Sequence, residues 1–238
     1  MPVTENPLTG ASSTTDASSY TTASVTPGAN RLVLVQVVNT KATLPDTPTL
    51  SGNGLTYVQI ATVTYDTIAS PLKRETLFRA LGASPSAGAI TIDFAGTNQT
   101  GCIWSVAEFI DVDTGGTNGS AAVVQSATNN ANTGTSLTVT LAAFGSTDNA
   151  TYGAFAINDN VAINPGTGFT EIHDNVLGAV PVTGSETEWK DSNDTSVDAS
   201  SSDAANKRWG GIAVEIKFAA AGGAATWPGW VSSRGGWW

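Results

Sequence analysis

The chain has very little of what catalysis, metal binding and covalent stapling usually rest on. Its 238 residues include one cysteine, one histidine and one methionine. A single cysteine, Cys102, allows no intrachain disulfide, which excludes a small disulfide-stapled framework. Lys and Arg number 10 against 20 Asp and Glu, a formal net charge of −10. Nucleic acids and anionic lipid surfaces are held by clustered basic residues, so neither nucleic acid nor membrane is an expected partner. No apolar run nears the ~20 residues of a membrane helix. The opening MPVTENPLTG lacks the basic and apolar regions of a signal peptide, so synthesis in a cytoplasm is expected. Charged residues make up only 13%. The surface must then be covered by Thr, Ser, Asn and Gly, a neutral hydrogen-bonding coat suited to meeting neighbouring subunits or glycans.

What the chain does have is alternation. Successive side chains of a strand point to opposite faces. Ile212, Val214, Ile216 and Phe218 alternate with Ala213, Glu215 and Lys217, and Leu137, Val139 and Leu141 alternate with Thr138 and Thr140. Ile90, Ile92 and Phe94 do the same with Thr91 and Asp93. These segments predict strands buried on one side. RLVLVQVV (31–38) and CIWSVAEFI (102–110) are apolar on both faces and predict central strands covered on both sides. Further strands are read at 55–65, 150–157 and 168–173. Turn signals fall at TPGAN (26–30), SGNG (51–54), GTNQTG (96–101) and NPGTG (164–168). Residues 71–82 could line a helical face, but the extended reading fits better. Residues 191–206 read as a polar loop with one weak edge strand. No fixed-period repeat is visible. The expected fold is all-β: a single antiparallel β-sandwich over residues 20–218. A polar extended arm (1–19) precedes it, and a small-residue linker with a Trp-rich tail (219–238) follows.

The succession YTTASVTPGANRLVLVQVV, LTYVQIATV, KRETLFRAL, GAITIDFAG, WSVAEFIDVD, SLTVTLAA and WGGIAVEIKF resembles a jelly-roll-like β-sandwich domain. That domain recurs in tailed-phage virion proteins and in bacterial secreted or surface proteins. The resemblance covers roughly residues 20–218 and rests on strand pattern and the P-x-x-N-R-L opening. It implies a jelly-roll-like sandwich with no catalytic residues and no cofactor. With no signal peptide read, it favours the virion side: a capsid decoration, minor capsid or tail subunit, with other virion proteins or copies of itself as partners. The alternative is a carbohydrate-binding module or surface adhesin, in which Tyr57, Tyr65 or Trp189 would form a flat exposed platform for sugar.

Several constellations could carry chemistry. Cys102 and His173 are the only nucleophile–base pair of their kind, against the plainer reading of a core cysteine and a strand-end histidine. Glu171, Glu186 and Glu188 would converge as glycosidase carboxyls if 168–173 and 185–190 pair, although any acidic sandwich offers such pairs. DVDTGGTNG (111–119) begins like a calcium loop with Asp111 and Asp113, but position 122 is Ala where an EF-hand needs Glu. No catalytic or metal site is therefore expected. The strongest feature is the tail. Trp227, Trp230, Trp237 and Trp238, with Pro228, lie in the last twelve residues. Tryptophans bury large apolar areas and anchor interfaces, so these five residues are the expected partner-binding set, against the plainer reading of a tail folded back to cap its own sandwich.

Overall fold

The computed structural model describes residues 2–68, 70–178, 181–202 and 207–219. It is all-β, with sixteen strands and no helix among the described residues. The first half of the chain holds β1 (Thr4–Ser13), β2 (Ser19–Thr21), β3 (Leu32–Lys41), β4 (Thr49–Gly52), β5 (Leu55–Thr56), β6 (Val58–Asp66), β7 (Leu72–Ala80), β8 (Ile90–Asp93) and β9 (Gly101–Ile110). The second holds β10 (Val123–Ala131), β11 (Ser136–Thr140), β12 (Ala150–Ile157), β13 (Thr170–Leu177), β14 (Thr183–Lys190), β15 (Ser196–Ser200) and β16 (Trp209–Ile216).

All pairings between these strands are antiparallel, and they build four sheets. The first five-stranded sheet runs β1-β9-β3-β7-β6 and the second β10-β16-β12-β14-β13. A four-stranded sheet, β2-β8-β4-β5, and a two-stranded one, β11-β15, complete the set. The second five-stranded order is the first over again: first strand, last strand, third, then a hairpin in reverse. The small sheets match as well, since β2 pairs β8 as β11 pairs β15. The chain has written one strand plan twice.

The cores follow from strand parity. On β3, Leu32 and Leu34 join Ala107 and Phe109 of β9 in a cluster with Tyr152 and Ala154 of β12 and Ile212, Val214 and Ile216 of β16. This cluster lies between the two five-stranded sheets. Val33, Val35 and Val37 point the other way, toward Ile90 and Ile92 of β8 and Tyr20 of β2. On the far side of the second sheet, Phe155, Ile157 and Trp209 meet Leu137 and Val139 of β11 and Val197 and Ala199 of β15. Each five-stranded sheet is thus covered on both faces. That corrects the one-sided reading over residues 212–216, because all of β16 is buried.

Local chemistry explains the joints. The SGNG turn closes the β4–β5 hairpin with Asn53 at φ 55° and Gly54 at φ 65°, the positive angles a two-residue hairpin loop requires. The Asn53 amide also donates to the carbonyls of Val25, Ser86 and Gly88. Residues 72–80 are a strand, as the extended reading expects. Residues 4–13, within the polar arm, form β1 and pair with β9. There Gly10 allows β13 to come close: a Cβ on it would stand 2.6 Å from His173 Cδ2.

Candidate functional site

The expected pairing of the glutamate-bearing segments is present. In the β13–β14 ladder Glu171 lies opposite Glu188 and Asp174 opposite Glu186, with a bulge between Glu171 and His173. Opposed residues share a face, as do residues two apart on one strand. Four carboxyls therefore gather on one side of the hairpin. Glu186 and Glu188 are buried, Asp174 half-buried and Glu171 exposed.

The segment after β12 is tied over this face. Gly166 N–H donates to Glu188 Oε2 at 2.7 Å, and Ile163 N–H donates to Asp174 Oδ2 at 3.2 Å. The Glu188 stem lies on Gly153 of β12, where a Cβ would stand 2.9 Å away. Neither oxygen of Glu186 has a hydrogen-bond partner. Burial, followed by the neighbouring Glu188, Glu171, Asp174 and Glu75 carboxyls, holds the Glu186 acid well above the usual range. Burial pushes Asp174 up to about 6. Chemically the buried pair of the group, Glu186 and Glu188, are carboxyls that burial holds toward their protonated form under a backbone strap. A glycosidase instead needs one acid and one ionised carboxylate facing an open substrate site. Two surface cavities, of about 450 and 270 Å³, lie elsewhere.

The structure separates Cys102 from His173. On β9, Cys102 points into the apolar cluster with Trp104 and Val106, and burial raises its thiol far above the ordinary value. His173 lies on the opposite side of that sheet, because its partner there is Ser105, an odd number of residues along the strand. His173 Nδ1 is 2.9 Å from Ser105 Oγ, which is 2.9 Å from Thr187 Oγ1. The relay runs from imidazole to hydroxyl to hydroxyl and ties the two large sheets together. Among the described residues no carboxylate stands third in it, and burial lowers the His173 pKa. Nothing in the local pattern around Ser105 marks it; only the parity of β9 against β13 selects it.

In the 111–119 loop, Asp113 Oδ1 accepts the Gly115 N–H at 2.8 Å, while Oδ2 pairs with Lys217 at 2.7 Å. Among the described residues no three His, Cys, Asp or Glu side chains converge as a metal set. Of the three aromatic residues expected to form an exposed platform, Tyr57 is half-buried with its hydroxyl donating to Asn53 Oδ1 at 3.3 Å. Tyr65 is buried with its hydroxyl 2.8 Å from Thr183 Oγ1, and Trp189 stacks edge-on against Phe109 at 6.3 Å between centroids. The expected partner-binding residues Trp227, Pro228, Trp230, Trp237 and Trp238 lie outside the described residues. No family model, curated protein or solved structure matches the chain.

Proposed function

We propose that the chain is a non-enzymatic structural subunit of a viral (phage) particle, a capsid decoration, minor capsid or tail component. Its body would be the jelly-roll-like sandwich plan written twice, joined to other particle proteins or to copies of itself through its terminal segments. The observation that carries this reading is where the reactive groups sit. The buried carboxyls, the histidine and the cysteine are turned inward and tie or fill the sheets. In the sequence, four tryptophans, Trp227, Trp230, Trp237 and Trp238, are gathered after residue 219. Such a body supplies rigidity, and such a segment supplies apolar anchoring area.

The test compares the full chain with a variant in which those four tryptophans become serine. Light scattering behind a sizing column, and electron microscopy of particles mixed with the protein, are expected to show assembly by the parent and its loss in the variant. A parent that stays monomeric at high concentration, leaves particles bare and keeps residues 219–238 resistant to protease would sink the proposal.

A further inference from the structure

The last strand of each large sheet carries a buried glutamate at the same place. Glu108 lies opposite Asn6 and Val33, and Glu215 lies opposite Gln125 and Thr151. Each is about 1% exposed. In the first half the site is filled from within. Arg31, the residue just before β3, pairs with Glu108 Oε1, and the Asn6 amide donates to the same oxygen at 2.9 Å. Gly28 N–H donates to Oε2 at 2.7 Å. The turn closes so tightly that a Cβ on Gly28 would collide with the Arg31 side chain.

In the second half the residue just before β12 is Asn149. Its amide donates to Glu215 Oε1 at 2.5 Å, and the Gln125 amide donates to Oε2 at 2.6 Å. Among the described residues no cation pairs with Glu215. Where Arg31 and its turn close over Glu108, a cavity of about 450 Å³ opens here, lined by Glu215, Asn149, Gly145, Ser146, Val124 and Phe218. A Cβ on Gly145 would meet nothing within 4 Å. Lys217 also reaches the wall, but its ammonium is engaged by Asp113 at 2.7 Å.

We infer that this cavity is a binding site for a guanidinium group, an arginine side chain that takes beside Glu215 the place Arg31 holds beside Glu108. A carboxylate buried among neutral amides gains a charge-assisted bond from it. The planar fork of arginine fits a carboxylate that a compact ammonium does not match. Its aliphatic stem has Val124 (51% exposed) and Phe218 to lie on. The net charge of −10 draws cations toward the site. The site stands independently of any role in a particle.

The experiment is an amide chemical-shift titration of the full chain with N-acetyl-arginine methylamide and with its neutral citrulline analogue. Arginine is expected to shift residues 145–149 and 215–218, and citrulline to bind at least about tenfold more weakly. Asn149→Arg supplies the guanidinium from within and should abolish the response while the rest of the spectrum stays in place. Arg234→Gln tests whether the chain's own arginine after residue 219 competes: a response seen only in that variant supports the site and names its occupant. Silence in both the parent and Arg234→Gln overturns the inference, as does unchanged binding by Asn149→Arg.

Discussion

The two halves of this molecule share a strand plan and fill it with different residues. At matched places on the last strands, Cys102 faces Asn39 in the first half while Trp209 faces Ile157 in the second. Two residues on, the sizes exchange: Trp104 faces Val37, and Gly211 faces Phe155. A Cβ on Gly211 would stand 2.9 Å from Leu137, Phe155 and Val139, so the second core has no room for what the first accommodates. A strand order can thus be kept while each interior is packed on its own terms, because cores tolerate exchange when total volume is conserved.

The contrast between the halves should show most strongly at Trp209. It is fully buried and its indole N–H donates to Gly134 O at 3.1 Å. Trp209→Ala should cost about 3–5 kcal/mol in urea unfolding, whereas Cys102→Ala at the matched place should cost about 1 kcal/mol or less. Equal losses would mean that the two cores do not contribute separately.

Next comes the pair of buried glutamates. Arg31→Ala strips Glu108 of its ion-pair partner and should destabilise the protein by roughly 3 kcal/mol. Asn149→Ala removes one neutral amide from Glu215 and should cost about 1–2 kcal/mol. Unfolding of both variants under one set of conditions yields the ratio directly. A larger loss at Asn149 would contradict the difference between an ion-paired Glu108 and an amide-bonded Glu215.

A gentler effect is expected on pH dependence. Burial pushes Glu75 up to about 8, and Glu186 stands well above its ordinary value. Glu186 is faced by Asp174 and Glu171 from β13, by Glu188 on its own strand and by Glu75 from β7. A carboxyl whose folded pKa is raised binds its proton more tightly in the folded chain. Its contribution is complete below the unfolded value and is lost as pH climbs through the folded one. Stability should therefore fall between about pH 5 and 8, by roughly 1 kcal/mol or more per carboxyl. Glu186→Gln should flatten that fall, and adding Glu75→Gln should flatten it further. Urea midpoints across the range that decline just as steeply in the double variant would refute the assignment.

Much of the body is legible along the chain. Two-faced apolarity marks β3 and β9, whose residues are buried through nearly their whole length. Alternation marks β11, with Leu137 and Val139 inward and the threonines outward. The edge strands β1 and β10 are not legible as strands. TENPLTGASS and VVQSATNNA carry polar residues on both faces, and only a neighbour's backbone makes them strands. The repeat stays hidden for two reasons. Matched positions hold residues as unlike as Cys102 and Trp209, and the spacing between matched strands shrinks from the start of each half to its end, as Thr4 and Val123 against Gly101 and Trp209 show. The carboxyl set on β13 and β14 is legible as a condition on pairing, and that pairing occurs. Its enclosure beneath residues 163–166 is not.

Fold class and much of the strand plan were written in the order of residues, because a period of two and the turn residues act within a few positions of each other. So was the scarcity of cationic, sulfur and imidazole groups. Which residues meet was settled by folding in three dimensions: His173 with Ser105 rather than Cys102, Glu108 with Arg31, and Glu215 with Asn149 beside a cavity. Those meetings join residues from 66 to 77 positions apart. The parity and register of strands, set by the packing of whole sheets, place them together, and no local pattern carries that information.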